Sequence, residues 1–387
     1  MQSGGPAAFL RRCTHMCRDS RWETRLWWTT WTSTATRWSP TRCAVCFVAL
    51  LPALGERLRP PFHPRLPQLT PREVGRALDL IWDFNEGMGT GVDRHDPLTW
   101  TNERWVENAA DVNGRGTFGL GLAHSEALWY VRGVPRLKDI WATLEGTDDL
   151  IVDFSGLCQF RPWGIDPAWR TSSGWLHTDR VPGPPLSPPD QDLAGDCGVH
   201  SREYVQGLVN LIRTSPATGG NVVLSGSHRH FFEIMKRFGD LNAPRGSVNL
   251  DILAASDAMP EVFASAMIAH LEAGDVLLWD DRTIHCNGPG MATKGDTTVQ
   301  LSRAAVYVTF TPRSKTSAEV LAMRRLMPQR GLFTGHACRH AVSKGRTVAQ
   351  MEALPVWQEG DTITVRDTTY NVARPAVLSA YQKSLVG

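Results

Sequence analysis

Two side chains that commonly bind metal ions lie two positions apart in residues 174–180, whose sequence is GWLHTDR. If this segment is a β-strand, His177 and Asp179 point to the same face, because successive strand residues alternate between faces. One ion can then be bound by an imidazole and a carboxylate from one strand. His285, which ends the apolar segment GDVLLWDDRTIH, is the candidate for a third ligand. Two histidines and one carboxylate that leave coordination positions open are typical of Fe(II) sites that also accept a co-substrate and O2.

A cation follows this candidate site along the chain. Arg303 begins the apolar segment RAAVYVTF, which has the composition of a strand. Its planar guanidinium matches a carboxylate with two parallel hydrogen bonds. On a strand beside the one that carries His285, Arg303 can hold the far carboxylate of 2-oxoglutarate, whose other end chelates the iron. Lys294, in the loop GMATKGD, is a competing anchor, and the sequence leaves both open.

The elements that must position these residues are mostly short strands. From about residue 150, apolar segments alternate with clusters of Gly, Pro, Asn and Asp, and no helix is predicted between most of them. This pattern favours a β-barrel or jelly roll. We predict strands at residues 150–154, 174–177, 206–212, 221–224, 276–279 and 304–310. The polar residues 181–199, rich in Pro and Gly, are predicted to form a mobile lid.

Helices are predicted around this barrel. Thr70, Pro71 and Glu73 form the signature of a helix start, with a capping Thr, a Pro at the first position and a Glu three residues after the cap. Apolar residues then follow at helical spacing. Further helices are predicted at residues 125–144, with a break near 133–135, and at 228–240, 257–271 and 317–327.

Composition limits the class of protein. The chain of 387 residues is 42% hydrophobic and 21% charged, and its net charge of +2 argues against a nucleic-acid-binding protein. No apolar run reaches the roughly 20 residues that span a bilayer. Residues 1–60 hold nine Arg, no Lys and three acidic residues. We therefore predict a leader and Pro-rich linker over residues 1–69, poorly ordered or used for targeting, and one oxygenase domain over residues 70–387. The predicted location is the cytoplasm, or an organelle if the leader is a transit peptide.

The motifs occur in an order that resembles the phytanoyl-CoA dioxygenase-like family of Fe(II)/2-oxoglutarate-dependent oxygenases. They are HTD at 177–179, QGLVNLIRTSPATGGNVVLSGSH at 206–228, GDVLLWDDRTIH at 274–285 and the strand that Arg303 begins. The resemblance covers residues 70–387 and implies a mainly β fold with flanking helices, a double-stranded β-helix of the jelly-roll or cupin-like type. It implies His177, Asp179 and His285 as iron ligands and Arg303 as the anchor of 2-oxoglutarate.

The reaction that this resemblance implies is hydroxylation of a small-molecule C–H bond. The cofactor is Fe(II), the co-substrates are 2-oxoglutarate and O2, the co-products are succinate and CO2, and ascorbate is a supporting reductant. In halogenase relatives a small residue replaces the carboxylate and frees a site for chloride, so Asp179 favours hydroxylation. The segment between His285 and Arg303 is longer than the family pattern, and the substrate itself is not fixed by the fold.

Six further residues are candidates for contacts with small molecules, on the basis of their positions near the motifs. Asn287 is a candidate for co-substrate binding, and the candidates for substrate binding are Arg161, Trp163, Trp175, Gln206 and Asn210. Gln206 and Asn210 share a face of their predicted strand, because they are four residues apart.

Two other functions remain open at this point. One is a cupin-like metal-binding protein that does not turn over 2-oxoglutarate, in which Arg303 points to solvent. The other is a non-catalytic barrel that acts as an interaction module, in which the three ligand side chains do not converge. The expected partner is a small-molecule substrate, without nucleic acid or membrane, and the sequence does not predict the oligomeric state.

Overall fold

The computed structural model of the chain describes residues 45–48, 68–106, 120–179, 205–238, 248–249, 252–291, 300–334, 346–365 and 367–387. These residues contain fourteen strands and nine α-helices. The strands are β1 (Val45–Val48), β2 (Leu150–Val152), β3 (Leu157–Phe160), β4 (His177–Thr178), β5 (Val205–Asn210), β6 (Gly219–Leu224), β7 (Val248–Asn249), β8 (Ala266–Ile268), β9 (Val276–Asp280), β10 (His285–Pro289), β11 (Arg303–Tyr307), β12 (Phe310–Pro312), β13 (Thr362–Val365) and β14 (Thr368–Asn371). The helices are α1 (Pro71–Gly87), α2 (Glu126–Arg132), α3 (Pro135–Glu145), α4 (Phe231–Phe238), α5 (Ile252–Ala258), α6 (Pro260–Phe263), α7 (Ala318–Leu326), α8 (Val348–Glu352) and α9 (Ala380–Val386).

Two five-stranded sheets form the barrel. The first has the order β1-β9-β5-β11-β3 and the second the order β7-β4-β10-β6-β8. Side chains of the two sheets meet between them: the ring of Trp279 on β9 lies 5.3 Å from that of His285 on β10, and Arg303 on β11 bonds to Asn287 on β10. The prediction of a mainly β double-stranded β-helix with flanking helices is therefore confirmed.

The first sheet separates six helices, α1–α3 and α7–α9, from the barrel interior, whereas α4–α6 pack with residues of the second sheet. Along β5, Val205 and Val209 pack in the large hydrophobic core with the helices, whereas Leu208 packs in a smaller cluster with Trp279 of β9. This alternation follows the two-residue period of a strand. Trp141 of α3 packs so closely on the outer face that a Cβ added to Gly207 of β5 would lie 2.6 Å from its ring. The inner face is left to the candidate site.

The predicted start of α1 is confirmed in detail. The hydroxyl of Thr70 accepts a hydrogen bond from the backbone N–H of Glu73, and the Glu73 carboxylate accepts one from the backbone N–H of Thr70. The predicted break at residues 133–135 is also confirmed. It separates α2 from α3 because Pro135 has no backbone N–H to continue the first helix, and it begins the second instead.

Three of the predicted elements differ from the structure. The strand predicted at residues 174–177 shares only His177 with β4. Residues 257–271 were expected to form one helix, but α6 ends at Phe263, and β8 then pairs antiparallel with β6. Residues 304–310 were expected to form one strand, but β11 ends at Tyr307, and β12 pairs with β2 in a separate sheet. The interruption coincides with Thr309, whose backbone N–H donates to the buried carboxylate of Asp153.

Other predictions are not tested by the described residues. The predicted lid at 181–199 and the competing anchor Lys294 lie outside them. The domain boundary at residue 69 stays a prediction; the backbone of β1, upstream of it, pairs in parallel with β9. Within the described part of the chain, no helix has both the length and the apolar character needed to cross a membrane. The cytoplasmic or organellar location stays a prediction.

Candidate metal centre

Strand pairing brings the three predicted ligands together. His177 on β4 and His285 on β10 are directly opposed in the antiparallel register of the second sheet. Asp179 follows β4, and its backbone N–H donates to the carbonyl of Asp281 at 3.2 Å, which joins the end of β4 to the turn before β10. The i, i+2 spacing of His177 and Asp179 and this register therefore direct all three side chains to one point.

The ligating atoms of these residues converge. Nε2 of His177 lies 3.5 Å from Oδ1 of Asp179, and Nε2 of His285 lies 3.4 Å from Oδ2 of Asp179. One potential ligand atom from each residue lies within 4.8 Å of the other two. Adjacent ligands of an ion with bonds of about 2.1 Å lie about 3 Å apart, so this cluster fits a metal ion with little rearrangement.

A main-chain carbonyl orients His285 for metal binding. Nδ1 of His285 lies 2.9 Å from the carbonyl oxygen of Thr283, which accepts a hydrogen bond from a protonated Nδ1. The lone pair of Nε2 is then directed toward Asp179. A metal-binding histidine usually has such a partner, which fixes its tautomer and its ring orientation.

Aromatic rings enclose both histidines. The Trp175 ring stacks on the His177 ring with centroids 4.9 Å apart and 26° between the planes. The Trp279 ring lies 5.3 Å from the His285 ring. Burial, with the adjacent His285, lowers the pKa of His177 despite the opposing effect of Asp179. The imidazole is therefore neutral at physiological pH, as metal binding requires.

Arg303 places a positively charged side chain in the barrel interior. Its side chain is fully buried, and the guanidinium carbon lies 5.1 Å from the centre of the Phe160 ring. Nη1 donates to Oδ1 of Asn287 at 2.6 Å, whereas Nε and Nη2 are buried and have no acceptor in the described part of the chain. Asn287 lies two residues after His285 on β10 and so shares its face, about 7 Å along the strand. The free edge of the guanidinium is the edge that binds a carboxylate with two hydrogen bonds.

The predicted substrate-binding residues differ in their position relative to the ligand cluster. Trp175 and Gln206 lie beside the ligand cluster, Trp175 by stacking on His177 and Gln206 by pairing with Trp279 on the inner face. The amide of Asn210 donates to the carbonyls of Ile212 and Glu272, and its predicted role in substrate binding stays a prediction.

Arg161 and Trp163 make contacts of another kind. Arg161 lies between the rings of Trp105 and Trp169 and donates to the Trp100 carbonyl and the Asn102 side chain. These contacts attach residues 100–105 to the barrel. The indole of Trp163 donates to the Gly290 carbonyl at the end of β10. Their predicted roles in substrate binding stay predictions.

Sequence reasoning missed two residues of the site, Trp279 and Tyr307. Tyr307 lies four residues after Arg303 on the same face of β11, and its hydroxyl is 3.3 Å from Nδ2 of Asn287. Trp279 faces the interior because it alternates with Leu278 on β9. The two-residue alternation around Arg303 and within VLLWD was the signal for both.

The fold and the cluster together define a jelly-roll protein with a candidate three-residue metal centre. No protein-family model matches the chain. Among curated proteins, "Ava biosynthesis cluster protein O" of Aspergillus versicolor is 28% identical over 227 residues, which cover 56% of this chain and 65% of that protein. "Putative phytanoyl-CoA dioxygenase" of Dictyostelium discoideum is 22% identical over 181 residues, covering 43% of this chain and 52% of that protein.

This chain thus spans less than two thirds of the length of either relative. Among solved structures, EctD from S. alaskensis with 2-oxoglutarate and 5-hydroxyectoine is similar with a TM-score of 0.40 and 13% identity, over 74% of this chain and 82% of that one. The resemblance to phytanoyl-CoA dioxygenase-like proteins, predicted from the motifs, is confirmed by the two curated relatives.

Proposed function

We propose that this protein is a non-haem iron oxygenase that uses 2-oxoglutarate and O2 to hydroxylate a C–H bond of a small molecule. The observation that carries the proposal is the buried guanidinium of Arg303, which is linked through Asn287 to the strand of a His-Asp-His cluster. The similarity to a protein named as a phytanoyl-CoA dioxygenase supports the same reaction class.

In this proposal, His177, Asp179 and His285 hold iron(II) on one side and leave the other side open. Imidazole and carboxylate ligands suit this metal, and the set of two histidines and one carboxylate is typical of iron oxygenases. Iron(II) held there would activate O2, while two electrons come from the oxidative decarboxylation of 2-oxoglutarate and two from the substrate C–H bond. One oxygen atom then enters succinate and the other enters the substrate as a hydroxyl. Asp179 occupies the position that chlorination would need, which favours hydroxylation.

Arg303 binds the far carboxylate of 2-oxoglutarate in this proposal. A buried cation without an anion is costly by several kcal/mol, so the barrel interior favours an anionic ligand. Nε and Nη2 are available on one edge, while Asn287 holds Nη1 and Phe160 supports the plane of the group. Asn287 then acts by orienting the guanidinium.

The two alternative functions receive less support from these observations. A cupin-like metal protein without 2-oxoglutarate predicts that Arg303 points to solvent, whereas its side chain is fully buried. A non-catalytic barrel predicts that the ligand side chains do not converge, whereas their ligating atoms lie within 4.8 Å of one another.

The test is succinate formation from 2-oxoglutarate by the purified full chain with Fe(II), O2 and ascorbate. Many such enzymes release succinate slowly without a substrate, so the assay does not require the substrate to be known. We expect succinate from the parent protein and none above background from His177→Ala. Equal rates for the parent and the variant would exclude the proposed iron site, and absence of 2-oxoglutarate binding would exclude the proposed co-substrate.

A further inference from the structure

Trp279 and Gln206, beside the candidate metal centre, each carry a buried polar atom that has no hydrogen-bond partner among the residues that the structure describes. Nε1 of Trp279 is a donor on a side chain that is 1% exposed, and Oε1 of Gln206 is an acceptor on a residue that is 5% exposed. Leaving such an atom buried and unpaired costs about 1–3 kcal/mol. A donor and an acceptor left unpaired next to metal-binding side chains therefore indicate a ligand that bonds to both.

The two side chains are neighbours on the inner face of the first sheet. Gln206 on β5 and Trp279 on β9 are directly opposed in the antiparallel register, so their side chains emerge on the same side, with Cβ atoms about 5 Å apart. The next pair along the sheet, Leu208 and Leu277, packs in the same buried cluster as Trp279. The Trp279 ring contacts the ring of His285, which places the pair at the level of the ligand cluster.

The pair and the arginine anchor are separated along the first sheet. Tyr307 is opposed to Leu208, and Ala305 to Asn210, so Arg303 lies further along the sheet in that direction. Gln206 lies in the other direction, two residues beyond Leu208. A dicarboxylate bound between the ligand cluster and Arg303 extends away from Gln206 and Trp279. These two side chains therefore remain available to the primary substrate.

We infer that Gln206 and Trp279 bind a neutral group of the primary substrate that presents a hydrogen-bond donor and an acceptor on one edge, namely a hydroxyl or a cis secondary amide. The amide oxygen of Gln206 accepts from the substrate O–H or N–H, and the indole N–H of Trp279 donates to its oxygen. Neither side chain is ionisable, so the pair selects for a neutral group. The inference deepens the proposed function and rests on it for the reaction at this site.

The test uses four probes with the full chain labelled with 15N at the tryptophan indoles and loaded with Zn(II) and 2-oxoglutarate. The probes are δ-valerolactam, its N-methyl derivative, cyclohexanol and cyclohexanone. Trp279→Phe identifies the indole resonance of Trp279. The resonance of Trp141 is the internal control, because this residue packs on the outer face of β5 and its N–H already donates to the Val205 carbonyl.

We expect the lactam or the alcohol to shift the Trp279 resonance, and its donor-lacking counterpart to bind about tenfold more weakly, as loss of one hydrogen bond predicts. Gln206→Leu should remove this discrimination while the indole spectrum stays that of the folded protein. A Trp279 resonance that neither donor-bearing probe shifts, or equal binding of both members of both probe pairs, would overturn the inference. If Gln206→Leu does not fold, the comparison of probes on the parent protein decides alone.

The titration is repeated without Zn(II) and 2-oxoglutarate to separate this inference from the proposed function. The pair consists of protein side chains only, so its discrimination between probes should persist without them. If 2-oxoglutarate does not bind but the protein still distinguishes the members of each probe pair, the proposed oxygenase function is contradicted. The inferred site for neutral polar ligands is then retained. If 2-oxoglutarate binds but the members of each probe pair bind equally, the proposed oxygenase function is retained. The inferred role of Gln206 and Trp279 is then overturned.

Discussion

At the scale of single residues, main-chain groups hold the candidate ligands in place. The Thr283 carbonyl orients the ring of His285, and the Asp281 carbonyl accepts the backbone N–H of Asp179. Both carbonyls belong to the turn that leads into β10. A ligand set held by backbone atoms is oriented before a metal binds, which reduces the entropy that binding must overcome.

Loss of one ligand should sharply weaken metal binding. Asp179→Asn removes the negative charge between the two imidazoles and keeps the shape of the side chain. We expect its affinity for Fe(II) to fall by more than about 100-fold, since changes even to residues behind the ligands cost 10- to 100-fold in metal sites. Anaerobic Fe(II) titration measures this affinity.

The matched control for this change is His230→Ala. His230 is exposed and is not one of the residues whose ligating atoms converge. Its removal should leave the affinity for Fe(II) unchanged. Equal affinities of the parent and Asp179→Asn would show that the metal, if any, binds elsewhere.

A buried carboxyl away from the site should make stability depend on pH. Burial raises the pKa of Asp153 to about 7, against the opposing charges of Arg132 and Arg324. Its ordinary value is 3.8, so the folded state binds a proton that the unfolded state has released. The free energy of unfolding should therefore fall as pH rises from about 4 to about 7, by at most about 4 kcal/mol from this group.

Asp153→Asn tests this dependence, because the amide does not ionise. The stability of the variant relative to the parent should increase between pH 5 and pH 8, measured by urea unfolding at both values. A difference between the two proteins that does not change with pH would contradict the assignment.

At the scale of elements, β5 is constrained by contacts on both of its faces. Its inner face carries Gln206, and its outer face must admit Trp141 of α3 at Gly207. A methyl group at position 207 would lie 2.6 Å from the Trp141 ring and 2.9 Å from the Leu278 side chain. Close packing on the outer face therefore fixes the position of the strand that presents the inner face.

Two glycine substitutions should have opposite effects. Gly207→Ala is expected to lower the free energy of unfolding by about 1–3 kcal/mol, because it overpacks a tight contact. Gly75→Ala, at an exposed position of α1 with nothing within 4 Å of the added methyl, should raise it by about 0.5–1 kcal/mol. Thermal or urea unfolding of both variants gives the comparison, and a stable Gly207→Ala would show that α3 does not press on β5.

Local spacing predicted the parts of the site that depend on one strand. His177 and Asp179 share a face because they are two residues apart, and Arg303 heads a strand that its apolar sequence predicts. The contact between Asn287 and Arg303 depends on how two sheets face each other, which no local pattern contains. The helix predicted at 257–271 failed for a related reason. The short strand β8 is stabilised by pairing with β6, which overrides the local preference.

At the scale of the whole molecule, the two faces of the first sheet differ in what they contact. The outer face packs with the helices in the large core, and the inner face presents Arg303, Tyr307, Gln206 and Trp279 toward the ligand cluster. Along this face, the cation lies toward one end and the neutral polar pair toward the other. In the function that we propose, the co-substrate and the primary substrate therefore bind at separate ends of one interior.

The role of Arg303 as the anchor of 2-oxoglutarate is tested most directly by calorimetry. 2-Oxoglutarate is titrated into the anaerobic Fe(II)-loaded protein and into its Arg303→Met variant. Methionine keeps much of the apolar volume and removes the guanidinium. We expect the parent to bind 2-oxoglutarate and the variant to bind it about 30- to 150-fold more weakly, because a charged hydrogen-bonding partner is lost. The affinity for Fe(II) should stay unchanged. Equal binding of 2-oxoglutarate by the two proteins, or no binding by the parent, would contradict this role of Arg303.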